Sequence, residues 1–230
     1  MRIIAHRSGP CMYYPEQTVA SALNAQREGA AMIELDVRYS KDKKIVISHD
    51  KNLSRVFGVD VDTDMLTESE FLSLRHKNAP AYPSHRFLDY VLSGVAPLLI
   101  HIKEDEVIND LIAIIKENSY TNKVVFGVHS VSLANHIKSI DPSFKVLAFM
   151  PDLKDLDAFA SIAVDYIRLW EQWCTKENVT RIQDSGKEAW IMTNGSEVGV
   201  TKREALKEML ALGVDGILIN DINELKAVIK

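Results

Sequence analysis

Short runs rich in Val, Ile and Leu recur along the chain, each followed by a stretch of helical period, and this alternation restricts the fold more than any other feature. The runs are residues 2–5, 32–37, 98–102, 123–128, 145–149, 166–169, 189–192 and 216–219. The helical stretches are 18–28, 86–92, 104–117, 132–140, 153–160, 175–184, 201–212 and 222–229. The runs lack polar alternation, as strands do when both faces are covered, which points to a parallel sheet under helices. A strand followed by a helix eight times over is the count of an α/β (β/α)8 TIM barrel. Ser132, Thr201 and Asp221 are the expected helix N-caps, and Gly213 suits the left-handed position after a helix.

One segment departs from the rhythm. Residues 45–49 form an extra strand-like run, and residues 51–85, with Gly58, Pro80 and Pro83, replace the expected short helix. A long segment after the second barrel strand lies at a mouth of the barrel, where such loops are usually functional. The expectation is one domain over 1–230 with 51–85 as an insertion covering the site; 230 residues fit one large domain.

Composition narrows the partners. There are 27 basic against 32 acidic residues, a net charge of −5 and no block of five or more Lys and Arg, so no nucleic-acid or anionic-membrane partner is expected. The apolar runs fall well short of the roughly 18 residues that span a bilayer, so stable membrane insertion is not expected either. The N-terminus reaches His6-Arg7 too early for a signal peptide, and a cytoplasmic location is the expectation. Cys11 and Cys174 lack zinc-ligand spacing and suggest no disulfide framework.

In such a barrel the reactive groups belong at the C-terminal ends of the strands. His6-Arg7 ends the first run, Glu34 and Asp36 the second, His101 and Lys103 the third, and His49-Asp50 follows the extra strand. Residues i and i+2 of a strand share a face, so Glu34 and Asp36 point together, as do His101 and Lys103. Neighbouring buried carboxylates repel, and a divalent metal relieves that repulsion. Oxygen ligands favour Mg²⁺ or Ca²⁺, while a nitrogen from His101 admits Mn²⁺ or Zn²⁺. Arg7 and Lys103 suit phosphate oxygens. His6 and His49 supply a general base and a general acid near neutral pH. The set reads as metal-assisted phosphoryl transfer.

The runs His6-Arg7-Ser8-Gly9, Pro15-Glu16-Gln17-Thr18, residues 29–37 ending in Ile33-Glu34-Leu35-Asp36-Val37, and Ser48-His49-Asp50 resemble the glycerophosphodiester phosphodiesterase family, whose pattern is HRG, PENT, GAD-x-IE-x-DV and HD. The likeness continues through residues 99–103, where the family has E-I-K, and through 190–194 and 213–217. The resemblance implies a TIM barrel with an insertion after the second strand. It also implies a metal on Glu34, Asp36 and the His101 position, His6 and His49 as the acid/base pair, and phosphate on Arg7 and Lys103. The glycerol 2-hydroxyl would attack phosphorus, expel the alcohol and leave a cyclic phosphate that water opens to glycerol 3-phosphate. The chain departs from the pattern at His101, Ser8, Gln17 and the spacing of Trp190 from Asn194. A one-residue slip turns a strand side chain to the other face, so Trp190 is not expected to reach substrate.

Simpler readings compete. A Glu-x-Asp pair is also solvated charge at a strand end, and Lys103, followed by Glu104, Asp105 and Glu106, is also a surface ion pair. Glu16 is a partner of Arg7 or part of a capping turn, and His129 and Trp170 line the mouth or pack at its rim. His76, His85 and His136 read as surface or insertion residues. Two other functions stay open. One is a related barrel acting on lysophospholipid or phosphoinositol-type diesters, with Met65, Leu66, Phe71 and Leu72 as apolar rim or as the insertion's own core. The other is a non-catalytic phosphodiester-binding protein, through the His101 change. The sequence leaves the oligomeric state open.

Overall fold

A computed structural model describes residues 1–95 and 97–229. Eight parallel strands close on themselves: β1 (Arg2–Ala5), β2 (Met32–Tyr39), β6 (Leu98–Ile102), β7 (Val124–Val128), β8 (Lys145–Ala148), β9 (Tyr166–Trp170), β10 (Glu188–Met192) and β11 (Gly216–Ile219). Each pairs with the next in sequence, and β1 closes the ring by pairing with both β2 and β11. The helices α1 (Val19–Arg27), α4 (Phe87–Ser93), α5 (Ile108–Glu117), α6 (Val131–Ile140), α7 (Leu156–Ala160), α8 (Lys176–Asp184), α9 (Arg203–Ala211) and α10 (Ile222–Ile229) fall between and after them. The expected (β/α)8 TIM barrel is the observed fold.

Alternation along the strands makes two cores. Leu35, Val37, Ile100, Ile102, Ile167 and Leu169 point outward and are buried under the helices. Burying each such side chain contributes about 1.5–3 kcal/mol. The alternate positions Ile4, Met32, Leu99, Val125, Leu147, Trp190 and Leu218 fill the barrel itself. Trp190 stacks on Tyr166 with ring centroids 4.3 Å apart and is fully buried among the interior residues, so it plugs the barrel rather than turning to the outer face as the one-residue slip predicts. Gly216 opposite it carries no side chain because a Cβ there would lie 2.9 Å from the Trp190 ring.

Two expected caps are corrected. The cap of α6 is Ser130 rather than Ser132: its side chain accepts from the Leu133 amide, because the helix starts one residue earlier than its apolar period shows. The Thr201 hydroxyl instead donates to Glu171, and α9 begins after Lys202 without a side-chain cap. Asp221 does accept from the Asn223 amide, and Gly213 takes φ of 78° after α9. Cys11 and Cys174 are free.

Strand β2 outruns its apolar stretch because Val37, Arg38 and Tyr39 pair antiparallel with β3 (Ile45–Ile47). Beyond it, residues 51–85 fold into α2 (Ser54–Phe57), α3 (Glu68–Leu72) and the two-stranded β4 (Arg75–His76) and β5 (Ala79–Pro83). Leu53, Phe57 and Phe71 form a small core there with Val46, and Leu66 and Leu72 pack against it while Met65 is exposed. His76 is buried against Phe57 rather than on the surface.

Candidate active site and metal centre

The interior positions of the strands continue upward into polar residues. Register sets Asp36 beside His101 and His101 beside Gly127 across three neighbouring strands. Glu34, Asp36 and His101 are all buried, and one ligand atom from each lies within 4.8 Å of the others. His101 Nδ1 is 2.8 Å from Asp36 Oδ1 and 3.6 Å from Glu34 Oε1. Neither Glu34 Oε1 nor Asp36 Oδ1 receives an aligned hydrogen bond. Glu34 Oε1 without a partner, Asp36 Oδ1 met only by the Lys103 ammonium at 3.0 Å, and the imidazole nitrogen facing both are a donor set that a divalent cation completes, so these residues fit a metal.

The remaining carboxylate oxygens are held in place. Glu34 Oε2 accepts the Arg7 amide at 2.6 Å, and Asp36 Oδ2 accepts the Gln17 side-chain amide. Arg7, Ser8 and Gln17 have φ of 48°, 70° and 58°, in the left-handed region. Such backbone costs about 1–3 kcal/mol per residue and persists where surrounding contacts enforce it. Gly9 follows at φ 74°, where a Cβ would lie 2.8 Å from that of Ala25. Burial, with Asp36 alongside, pushes the Glu34 carboxyl up, whereas for Asp36 burial is opposed above all by the Lys103 charge, and its carboxyl is held well below its usual range. Lys103 Nζ stands 3.0 Å from Asp36 Oδ1. Glu104 pairs instead with Arg38 at 3.0 Å, which removes the surface-pair reading of Lys103.

The two histidines lie near enough to this group to feel the Asp36 charge. His6 is buried, and its Nδ1 lies 2.7 Å from Asn220 Oδ1, an acceptor, so Nδ1 carries the proton and Nε2 its lone pair. Burial and then the Arg7 charge pull the His6 pKa down to about 4. His49 Nδ1 donates to Asp50 Oδ1 at 2.7 Å. Burial lowers the His49 pKa as well, helped by Lys103 and Arg7 and opposed by Asp36 and Asp50.

Glu16 accepts from Arg7 at 3.2 Å and also pairs with Arg55 of the insertion, which in turn pairs with Asp50. The insertion therefore ties the Arg7 loop to the His49 loop. His129 meets His101 rather than open space, with their Nε2 atoms 2.6 Å apart. Trp170 packs over the Arg168 guanidinium at 4.1 Å and is not in the metal-ligand group.

Residues 6–149 match the Glycerophosphoryl diester phosphodiesterase family. The chain belongs to that family. Over 95% of its length it is 25% identical to the glycerophosphodiester phosphodiesterase of Caldanaerobacter subterraneus, covering 93% of that protein. A segment of 67 residues is 40% identical to human lysophospholipase D, covering 29% of this chain and 21% of that one. Its fold matches an Oleispira antarctica phosphodiesterase solved with sn-glycerol-3-phosphate, with a TM-score of 0.85 at 18% identity over 100% of this chain and 96% of that one. Members of this family depend on a divalent metal, and the Glu34–Asp36–His101 group is where this chain can hold one.

Sequence reasoning missed Asn220, Gln17 as a clamp on Asp36, and Arg168. Asn220 lies two positions after Leu218 in the interior series of β11, which is the signal that finds it. Arg168 sits on β9 among apolar residues with Nε and Nη1 unpartnered. Among the described residues, no helix is long and apolar enough to cross a membrane.

Proposed function

We propose that this enzyme hydrolyses glycerophosphodiesters to glycerol 3-phosphate and an alcohol, in a single catalytic domain over residues 1–230 whose insertion, 51–85, shapes the mouth. The observation carrying this reading is the convergence of Glu34, Asp36 and His101 at one point near two histidines whose tautomers are set by different partners. A divalent ion held by those three residues would supply positive charge to a phosphate oxygen. Arg7 and Lys103 would bind the other oxygens, Arg7 through its guanidinium and Lys103 as a point charge.

His6 is the base. Neutral at physiological pH, with Nδ1–H held by Asn220, it presents Nε2 to take the proton of the glycerol 2-hydroxyl as that oxygen bonds to phosphorus. His49 is the acid: it gives a proton to the departing alcohol oxygen as the phosphorus–oxygen bond breaks, and Asp50 stabilises its imidazolium. The phosphodiester's negative charge offsets Arg7 and Lys103, two of the cations that hold His49 down. Water then opens the cyclic phosphate with the two histidines exchanging roles. A cavity of about 270 Å³ lined by Cys11, Gly199, Val200 and Asn220 adjoins His6 and has room for the glycerol side of the substrate. The bound sn-glycerol-3-phosphate in the Oleispira protein supports the product assignment.

A second substrate class, lysophospholipids, has one specific observation in its favour: Met12 and Tyr13 next to Cys11 are 89% and 75% exposed, an apolar edge beside that cavity. A panel of soluble glycerophosphodiesters and lysophospholipids, assayed with divalent metal, separates the two. Glycerol 3-phosphate release from the soluble diesters is the expected result. Turnover of lysolipids alone would transfer the assignment to the lipid substrates, and no turnover of either would refute it.

A further inference from the structure

His129 belongs to no motif that carries the family likeness, yet it touches the metal-ligand group. It follows β7 at the barrel mouth, and its Nδ1 lies 3.0 Å from the Phe149 backbone carbonyl. A carbonyl only accepts, so Nδ1 must carry a proton. The His129 ring bonds to this carbonyl and to an imidazole and to no carboxylate, so nothing in contact with it pairs the charge of an imidazolium, and the geometry fits the neutral ring. Its Nε2 is then an acceptor. That nitrogen is 2.6 Å from His101 Nε2, and the single proton between them belongs to His101. A neutral His101 protonated on Nε2 has its lone pair on Nδ1, the atom that faces Asp36 Oδ1 and Glu34 Oε1. Lys103 Nζ offsets charge on Asp36 Oδ1, but the lone pairs of Glu34 Oε1 and His101 Nδ1 still repel unless a cation lies between them.

Packing holds this arrangement rigid. The Phe149 ring stacks on His101 with centroids 4.0 Å apart, and Gly127 makes room for it: a Cβ there would sit 2.4 Å from the ring. The Phe149 residue therefore anchors both histidines, one through its ring and the other through its carbonyl.

We propose that His129, hydrogen-bonded to the Phe149 carbonyl, is a positioning residue that fixes the tautomer of His101 so that Nδ1 is a metal ligand. The site thereby selects divalent ions that accept nitrogen, Mn²⁺ and Zn²⁺, over Mg²⁺. This rests on the assignment of Glu34, Asp36 and His101 as the metal ligands. A carboxylate at position 101 would need no such relay; an imidazole does, because only one of its two tautomers has its lone pair on the inward nitrogen. Mg²⁺ prefers oxygen ligands and retained water, so a fixed imidazole gives it little.

Calorimetric titration of metal-free protein with Mn²⁺, Zn²⁺ and Mg²⁺ tests this in the wild type, His129→Leu and His129→Gln. A glutamine can accept from His101 Nε2–H with its oxygen and donate to the Phe149 carbonyl with its amide, whereas leucine does neither. The expected result is a 10–100-fold loss of Mn²⁺ and Zn²⁺ affinity in His129→Leu, little change for Mg²⁺, and recovery of most of the loss in His129→Gln. Cobalt substitution gives a second readout, with the visible band of a nitrogen-ligated ion present in the wild type and His129→Gln and altered in His129→Leu. Unchanged Mn²⁺ and Zn²⁺ affinity in His129→Leu overturns the relay while leaving the metal site standing. An equal loss in both variants also overturns it, since bulk packing would then be the cause. Failure of the wild type to bind any of the three ions overturns the relay and the metal site together.

Discussion

Replacing Asn220 by Asp changes one thing at His6. The carboxylate still accepts the Nδ1–H that Asn220 Oδ1 accepts at 2.7 Å, but it adds a negative charge beside a ring whose pKa stands at about 4. Two charges roughly 4 Å apart interact by about 4 kcal/mol at an effective dielectric near 20. That is about three pKa units, and burying the new carboxylate removes part of it. A net rise of about two units, to near 6, is expected. The base must be neutral to act, so the acid limb of kcat/KM moves up with it. At pH 5 the neutral fraction falls from roughly 0.9 to roughly 0.1, about ninefold, while at pH 8 the two enzymes differ little. The assay is kcat/KM between pH 4.5 and 8.5 at saturating metal. Asn220→Leu serves as control: it removes the acceptor and lowers the rate at every pH without moving the limb upward. An Asn220→Asp enzyme whose acid limb coincides with that of the wild type would refute His6 as the base.

Three further substitutions probe the surrounding design. Lys103→Gln should lower kcat/KM by about 10–100-fold, the equivalent of a lost charge-assisted hydrogen bond of about 1.5–3 kcal/mol, and should lower the melting temperature of the metal-free protein because Asp36 loses a cation. Gly127→Ala places a Cβ 2.4 Å from the Phe149 ring and should lower unfolding free energy by about 1–3 kcal/mol in urea titrations. His76→Leu tests acid lability: the buried His76 pKa is lowered to about 4, so the unfolded chain binds more protons between that pH and its ordinary value of 6.5, and stability falls as pH drops through this window. Allowing for solvent screening, wild type should lose on the order of 2 kcal/mol more than His76→Leu between pH 7 and pH 4, and equal losses in urea titrations would contradict this account of His76.

Much of the barrel is legible in the sequence because parallel strands covered on both faces carry uninterrupted apolar runs. Glu34 and Asp36, and likewise His101 and Lys103, are legible for a related reason: a polar pair at i and i+2 after such a run shares the inner face. Contacts that only barrel closure creates are not legible. Asn220 reaches His6 across 214 positions because β11 pairs with β1. His129 reaches His101 because β7 pairs with β6, and its sequence neighbours say nothing of that contact. Arg168 is hidden by its setting, a cation within an apolar strand whose ring partners come from β9 and from the residue after β8. The cap expected at Ser132 falls instead to Ser130, two residues earlier, and the one expected at Thr201 is lost because its hydroxyl is drawn to Glu171 across the barrel mouth.

The central claim, phosphodiester hydrolysis at a metal held by Glu34, Asp36 and His101, is tested most directly by glycerol 3-phosphate release from protein stripped of metal and then resupplied. Wild type, Glu34→Gln and Asp36→Asn should be compared side by side, with melting curves showing that each is folded. The account predicts that activity disappears on stripping and returns with metal in the wild type, and that both variants stay at least about 100-fold slower at any metal concentration. Full activity in the stripped wild type, or in either folded variant, would contradict it.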